Sequence, residues 1–193
     1  MSVRLSEPAD WQLRWQPLAD CIGQDFSNSQ VQWGADVVEQ GGIRRFLEPL
    51  ELYSPIHYDR EAARQHGHED ITAPCASMLT WSLPVQWRPG HPLFDQACRN
   101  GQPAYSPLTG VRPPQIPPSM GFFATEFEAD FLEDAVVGDR LGRRGSRLLQ
   151  CMPKETAVGR GAFLTWESEI VNQRLAVVAL IRMTFYYFNP IFS

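Results

Sequence analysis

The strongest constraint on the fold is a series of strand-like segments that fills the chain after residue 120. Between residues 162 and 170 apolar side chains alternate with polar and charged ones, and a second alternating segment runs from 176 to 188. Period-two alternation with one wet face predicts antiparallel strands. Asn172-Gln173 lies between them as a turn, and segments 122–131 and 147–156 alternate more loosely. The second half of the chain is therefore predicted to be an antiparallel sheet.

The part of the chain before residue 84 is predicted to be helical. Apolar residues follow helical spacing through 37–50, and 61–66 indicates a short helix closed by Gly67. Segment 71–83 carries almost no charge, has Pro74 where a first helical turn tolerates proline, and ends at Pro84. A helix that is apolar all round belongs inside a protein. We therefore expect an α+β fold, with a strongly curved sheet wrapped around one long buried helix.

Prolines mark a long excursion between these two parts. Nine of the 16 prolines fall between Pro84 and Pro118. Proline fixes φ and removes a hydrogen-bond donor, so regular helix and central strand are excluded there. Loops of this length tend to cover a site or to contact a partner. A length of 193 residues suits one domain, so we expect a single domain over 1–193, with its core at about 31–190 and the excursion at 84–119.

Charge and cysteine usage narrow the class of protein. A net charge of −5 gives no general attraction to nucleic acid or to an anionic membrane surface. The longest aliphatic run, 176–181, is far shorter than the roughly 20 residues that cross a bilayer, and the N-terminus has no apolar signal core. The four cysteines show no C-x-x-C spacing, which argues against a zinc site or a disulfide framework. We expect buried thiols in a soluble cytoplasmic protein, at Cys21, Cys75, Cys98 and Cys151.

Residues 54–67 carry a short signature: Ser-Pro-Ile-His-Tyr-Asp, followed by Ala63 and Gly67. This resembles the hydratase signature of MaoC-like hot-dog proteins, D-x-N-P-L-H-x-D-x-x-x-A-x-x-x-G-F. The family's I-x-H-G, at the start of its central helix, corresponds to 71–74, and segments 137–141, 158–163 and 171–173 are similar to the family's strands. The resemblance covers about residues 37–190. It is strongest to the N-terminal, FAS1-like dehydratase type, as in two-subunit acyl-thioester dehydratases such as those of steroid side-chain degradation.

The resemblance implies a hot-dog fold and the addition of water to a trans-2-enoyl thioester, or the reverse dehydration. It implies no resident cofactor or metal, because the substrate arrives as a thioester of coenzyme A or acyl carrier protein. His57 falls at the family's catalytic histidine. Leu52 replaces the family's aspartate, however, and Pro74, which has no N–H, replaces the glycine. Ala-Pro at this point is what the N-terminal type carries, which favours a chain that relies on a partner.

The candidate site follows from this alignment. The catalytic candidates are His57, Asp59 and Glu51, and the substrate-binding candidates at the buried helix are Ala73, Pro74, Cys75, Met78 and Trp81. Simpler interpretations remain open: His57 as a turn histidine bonded to backbone, Asp59 as a helix cap, and His66 and His68 as surface histidines rather than a metal pair.

Three hypotheses of function result. The first is a subunit of an enoyl-thioester hydratase or 3-hydroxyacyl-thioester dehydratase, whose partner is a second MaoC-like hot dog that supplies the Asp/His pair. The second is a non-catalytic homodimer that binds an acyl thioester. The third is a stand-alone dehydratase that uses His57 with Glu51 or Asp59. In each case the ligand is an acyl thioester, and neither nucleic acid nor a membrane is an expected partner.

Overall fold

The computed structural model describes residues 10–28, 30–85, 87, 89–90 and 112–191. Most of the predicted excursion at 84–119, and Cys98 with it, lies outside these residues. Among these residues, the helical segments all precede residue 82. The α-helices are α1 (Gln16–Ala19), α2 (Gln40–Leu47), α3 (Arg60–Gln65) and α4 (Met78–Trp81). The 3₁₀ segments are Trp11–Trp15, Glu48–Leu50, Pro55–His57 and Cys75–Ser77.

In the described part of the chain, five strands form one antiparallel sheet in the order β1-β3-β4-β5-β2. They are β1 (Gln32–Trp33), β2 (Gly121–Phe131), β3 (Gly142–Thr156), β4 (Gly159–Val171) and β5 (Val177–Asn189). The side chain of Asn172 closes the β4–β5 turn, because its Oδ1 accepts hydrogen bonds from the backbone N–H groups of Arg174 and Ala176. The predicted strands, this turn and the α+β fold class are confirmed.

Strand β3 begins earlier than its predicted start at residue 147. Gly142 and Arg143 already pair with β1 on one side and with β4 on the other. The register then shifts between Arg144 and Arg147, where Gly145 has a φ of +84°. This irregularity and the charged residues before it hide the period-two alternation of β3 in the sequence. In the structure, Arg144 forms a 2.6 Å ion pair with Glu169 across the β3–β4 ladder.

The buried helix is shorter than predicted. Residues 71–73 are extended, since Thr72 bridges Val136 and the N–H of Ala73 donates to the carbonyl of Ala135. Helical backbone begins only after Pro74, as a 3₁₀ turn that continues into α4 and ends at Ser82. The prediction of one long helix over 71–83 is therefore wrong in its extent. An apolar sequence fits a buried strand edge as well as a buried helix. Here residues 71–73 pair with the backbone of residues near 136 instead of starting the helix.

The helices pack on the inner face of the sheet in two apolar clusters. One joins α2 and the buried helix to the ends of β4 and β5, with Ile43, Leu47 and Met78 fully buried. The other places Trp15 and Leu18, from the N-terminal helical segments, against the middle of the sheet. Trp15 and Leu18 are 4% and 0% exposed, so the core begins before residue 31, where sequence reasoning placed its start.

The thiols differ in their surroundings. Cys151 is buried, and desolvation raises its pKa to about 11. Cys21 and Cys75 are only partly buried, so the expectation of buried thiols is wrong for these two. All three are free cysteines. No helix in the described ranges is long and apolar enough to span a membrane.

Candidate functional site

His57 ends a short 3₁₀ turn and reaches toward the start of the buried helix. Its Nδ1 lies 2.8 Å from the carbonyl oxygen of Thr72 and 3.2 Å from that residue's hydroxyl oxygen. A carbonyl only accepts hydrogen bonds, so Nδ1 carries the proton in this contact. In the neutral tautomer with this proton, the lone pair lies on Nε2, which is the nitrogen that could accept a proton from water. The backbone-bonded histidine, left open as the simpler interpretation, is what the geometry shows.

Asp59 caps helix α3. Its Oδ1 accepts hydrogen bonds from the N–H groups of Glu61 at 2.8 Å and Ala62 at 3.2 Å, while its backbone is extended. These are the orphan donors of a helix N-terminus, which Asp satisfies well. The interpretation of Asp59 as a helix cap therefore accounts for its position, and in the described part of the chain its carboxylate forms no hydrogen bond or ion pair with His57.

The capping role of Asp59 can be tested separately from catalysis. Asp59→Ala is expected to lower the free energy of unfolding by about 1 kcal/mol, because two helix N–H groups lose their acceptor. Asp59→Asn keeps an acceptor oxygen while it removes the charge, so it is expected to stay within a few tenths of a kcal/mol of the wild type. Urea titrations followed by circular dichroism measure both. Equal losses in the two variants would contradict the cap and point to the charge instead.

Neither Leu52, at the signature's aspartate position, nor the adjacent Glu51 supplies a carboxylate to His57. Glu51 is exposed and adopts a left-handed conformation, with a φ of 50°. Leu52 points an apolar side chain toward solvent, 52% exposed, and its carbonyl accepts a hydrogen bond from the hydroxyl of Tyr58 at 3.0 Å. Within the described ranges, neither Glu51 nor any other carboxylate contacts the imidazole.

The substrate-binding candidates share one segment but lie mostly in the core. Ala73 and Met78 are 2% and 0% exposed, Pro74 is also buried, and Trp81 is 9% exposed. Only Cys75 is partly accessible, and desolvation followed by the charge of Asp134 raises its pKa. Pro74 caps the helical segment and has no N–H to offer, and the N–H of Ala73 is already bonded. The position of the family's glycine therefore offers no N–H donor.

Sequence reasoning missed an imidazole–carboxylate pair close to this segment. His68 Nδ1 lies 2.9 Å from Asp134 Oδ2, and the neighbouring Ala135 bonds to Ala73. His66 instead bonds to the carbonyl of Ala62 in its own helix. The two histidines have different partners, and in the part of the chain that the structure describes no three His, Cys, Asp or Glu side chains form a group that could hold a metal ion. Only the tertiary fold brings His68 and Asp134 together.

A concave surface on the other face of the sheet is lined by charged groups that satisfy one another. Asp25 lies there with Arg144, Arg147 and Glu169. Desolvation raises the pKa of the Asp25 carboxyl, but N–H groups of Ser27 and Ser146 outweigh it and hold the pKa below its usual value. Arg144 is engaged by Glu169. These charged side chains therefore have a structural role, because they bind one another and the backbone where the register of β3 shifts.

The amino-acid sequence matches a known protein family. The FAS1-like dehydratase domain region matches residues 21–181. The chain belongs to this family. The predicted resemblance is confirmed, and the family's structural relatives confirm the hot-dog fold. One is the ChsH1-ChsH2 complex from Mycobacterium tuberculosis, with a TM-score of 0.61, 23% identity, and coverage of 94% of this chain and 93% of that chain. Another is a MaoC-like dehydratase from Rhodospirillum rubrum, with a TM-score of 0.54, 18% identity, and coverage of 86% and 96%.

One curated relative of this chain is described as a probable enoyl-CoA hydratase alpha subunit, from Thermomonospora curvata. The two are 28% identical over 178 residues, which cover 87% of this chain and 53% of the relative. The chain thus spans about half the length of the curated relative that it matches. The curated relative is thus named as a hydratase subunit and the Rhodospirillum rubrum protein as a dehydratase, while the Mycobacterium tuberculosis structure is a complex of two different proteins.

Proposed function

We propose that this chain is one subunit of a heteromeric enoyl-thioester hydratase, or 3-hydroxyacyl-thioester dehydratase, in which a second hot-dog subunit supplies the Asp/His pair. The observation that carries the proposal is the environment of His57. Its imidazole bonds to Thr72, it contacts no carboxylate within the described residues, and an exposed Leu52 stands at the position of the signature's aspartate.

The reaction has three requirements. A base takes a proton from water, an acid delivers one to the α-carbon, and an N–H donor stabilises the negative charge on the thioester oxygen. This chain offers the Nε2 of His57 for the first step, whereas Pro74 cannot serve the third. Losing one such donor costs about 10²–10³-fold in kcat, and losing an acid/base partner costs a further 10²–10⁴-fold or so. We therefore assign the missing acid/base group and the missing N–H donor to a partner subunit.

The comparisons support a role as a subunit. The curated relative is described as an alpha subunit, and a structural relative was solved as a complex of two proteins. We propose a coenzyme A or carrier-protein thioester as substrate, with Cys75 and the accessible edge of the buried helix facing its acyl chain. The proposed location is the cytoplasm, where such thioesters are made and consumed.

The direct test is to assay the chain alone and together with a MaoC-like hot dog of the same organism that retains D-(x)4-H. Hydration of crotonyl-CoA is measured from the loss of enoyl-thioester absorbance. The co-purified pair is expected to turn over at least about 10²-fold faster than this chain alone, since the chain lacks an acid/base partner. The partner alone is the control that measures what this subunit adds. Full turnover by the isolated chain, abolished by His57→Ala, would contradict the proposal.

A further inference from the structure

Tyr53 presents an aromatic ring to solvent beside the candidate site. It is 85% exposed, more than any other large hydrophobic residue in the described part of the chain. Tyr58, which immediately follows His57, supports it: the two rings stack with their centroids 6.4 Å apart and an angle of 20° between their planes. Most of the Tyr53 ring therefore remains open to a ligand, although the ring has a fixed neighbour.

The local structure holds this pair of rings, which we call the tyrosine platform, in place. Tyr58 packs against the apolar cluster that contains the buried helix. Its hydroxyl donates to the carbonyl of Leu52 at 3.0 Å, and the N–H of Leu52 donates to the carbonyl of Leu47. Tyr53 therefore follows a residue whose backbone is bonded at both its N–H and its carbonyl. A surface that is already ordered loses little conformational entropy when a ligand binds.

The charged residues nearest to the platform in sequence carry no excess of positive charge. Arg60 forms an ion pair with Asp70 at 2.8 Å, and the pKa of that carboxyl is lowered chiefly by Arg60, with a smaller contribution from Arg64. Glu51 and Glu61 are exposed on the same stretch of chain. Phosphate groups are bound by guanidinium and ammonium groups that are available to them. The platform therefore suits a flat, uncharged group rather than a phosphate.

A purine base is a ligand group of this kind. Bases stack on aromatic side chains, and stacking needs no complementary charge because every base has a π-face. The two carriers that the proposed function leaves open differ in this respect. Coenzyme A contains adenine, whereas in acyl carrier protein the pantetheine arm is attached to a protein instead. The curated relative is described as an enoyl-CoA hydratase subunit, which agrees with the carrier that contains adenine.

We propose that the tyrosine platform is a subsite for the adenine base of a coenzyme A thioester, with the base stacked on Tyr53 and the phosphate groups in solvent. Because Tyr58 adjoins His57, the pantetheine arm runs from the platform toward the imidazole. This inference rests on the proposed function only in taking an acyl thioester as the ligand. It goes further by selecting coenzyme A over a carrier protein and by assigning the base to this chain rather than to a partner.

Equilibrium binding to the full chain, without a partner, tests the subsite directly. The probes are coenzyme A, 3′-dephospho-coenzyme A and pantetheine, which lacks the base. Tyr53→Ala is expected to weaken the binding of coenzyme A by about 5–150-fold, the usual contribution of one base stacked on an aromatic ring. Tyr53→Phe keeps the ring and should bind within about twofold of the wild type.

Leu50→Ala is the matched control. It removes an apolar side chain that is 54% exposed from the same segment, but it removes no ring. It is expected to bind coenzyme A as the wild type does, because a base stacks on an aromatic face. Circular dichroism verifies that each variant is folded.

Coenzyme A and its 3′-dephospho form are expected to bind equally well and with little dependence on salt, because the platform binds the base and not the phosphates. Pantetheine should bind weakly, and equally to the wild type and to Tyr53→Ala. The inference would be overturned by coenzyme A that binds the wild type no more tightly than pantetheine, by binding that requires the 3′-phosphate, or by equal losses in Tyr53→Ala and Leu50→Ala.

Kinetics of the co-purified pair separate this inference from the proposed function. Tyr53→Ala is expected to raise the KM for crotonyl-CoA at least about fivefold relative to the KM for crotonyl-pantetheine. An active hydratase in which this ratio is unchanged keeps the proposed function and refutes only the subsite. The binding measurement involves no turnover, so an inactive enzyme whose coenzyme A binding depends on Tyr53 leaves the subsite standing.

Discussion

In the assembled enzyme, replacing the histidine of the partner's D-(x)4-H pair is expected to lower kcat by about 10²–10⁴-fold. His57→Asn in this chain is expected to change kcat by less than about threefold, or about 0.6 kcal/mol in activation free energy, because a group outside the reacting centre gains no contact in the transition state. The asymmetry follows from the surroundings of the two histidines. The partner's histidine has an aspartate at D-(x)4-H spacing, whereas the hydrogen-bond partners of His57 are the backbone carbonyl and the hydroxyl of Thr72.

Asparagine is the informative substitution because its side-chain N–H can take the place of Nδ1–H and keep the hydrogen bond to Thr72. It removes only Nε2, the nitrogen available for proton transfer. His57→Ala removes both, and it is expected to cost about 1 kcal/mol of stability as well, the usual net value of one hydrogen bond. Single-turnover hydration and urea unfolding of both variants separate the two effects. A loss in His57→Asn as large as that in the partner's variant would place His57 among the catalytic residues and favour the stand-alone hypothesis.

Hydrophobic periodicity predicted the sheet well because each strand has one face on the core. In β4, Ala162, Leu164 and Trp166 are buried while Thr165 and Glu167 on the opposite face are not, and this contrast is visible in the sequence. The buried helix was overestimated for the opposite reason. Residues 71–83 are apolar throughout, so no period distinguishes a strand-like start from a helix, and the bond from Ala73 to Ala135 depends on a distant segment.

The candidate site was only partly accessible to sequence reasoning. Spacing placed Asp59 at the start of α3 and His57 just before it, and both positions are local consequences of the chain. The hydrogen bond from His57 to Thr72 and the pairing of His68 with Asp134 arise from contacts between segments far apart in sequence. No local pattern encodes such contacts, and they are what decides whether a histidine is catalytic or structural.

The position of Gly34 likewise depends on contacts between segments far apart in sequence. Among the variants proposed here, Gly34→Ala is expected to have the largest effect on stability. Gly34 follows β1, and its N–H donates to the carbonyl of Leu141 at 2.8 Å. A Cβ at this position would lie 1.7 Å from the carbonyl oxygen of Trp81 and 2.9 Å from that of Leu141. Both obstacles are backbone atoms, so no side-chain rotation relieves the overlap. The crossing of residue 34 over the end of α4 fits only a residue without a side chain.

Gly34→Ala is therefore expected to lower the free energy of unfolding by about 3 kcal/mol or more, at the upper end of overpacking effects because backbone has to move. Of a total of roughly 5–15 kcal/mol for a domain, such a loss lowers the urea midpoint strongly. Gly41→Ala is the matched control: Gly41 is exposed in α2, and a Cβ there meets nothing within 4 Å. It should stabilise by about 0.5–1 kcal/mol, since alanine favours helix. If Gly34→Ala unfolds within about 1 kcal/mol of the wild type, the end of α4 can shift, and the contact with Gly34 does not fix the buried helix against the sheet.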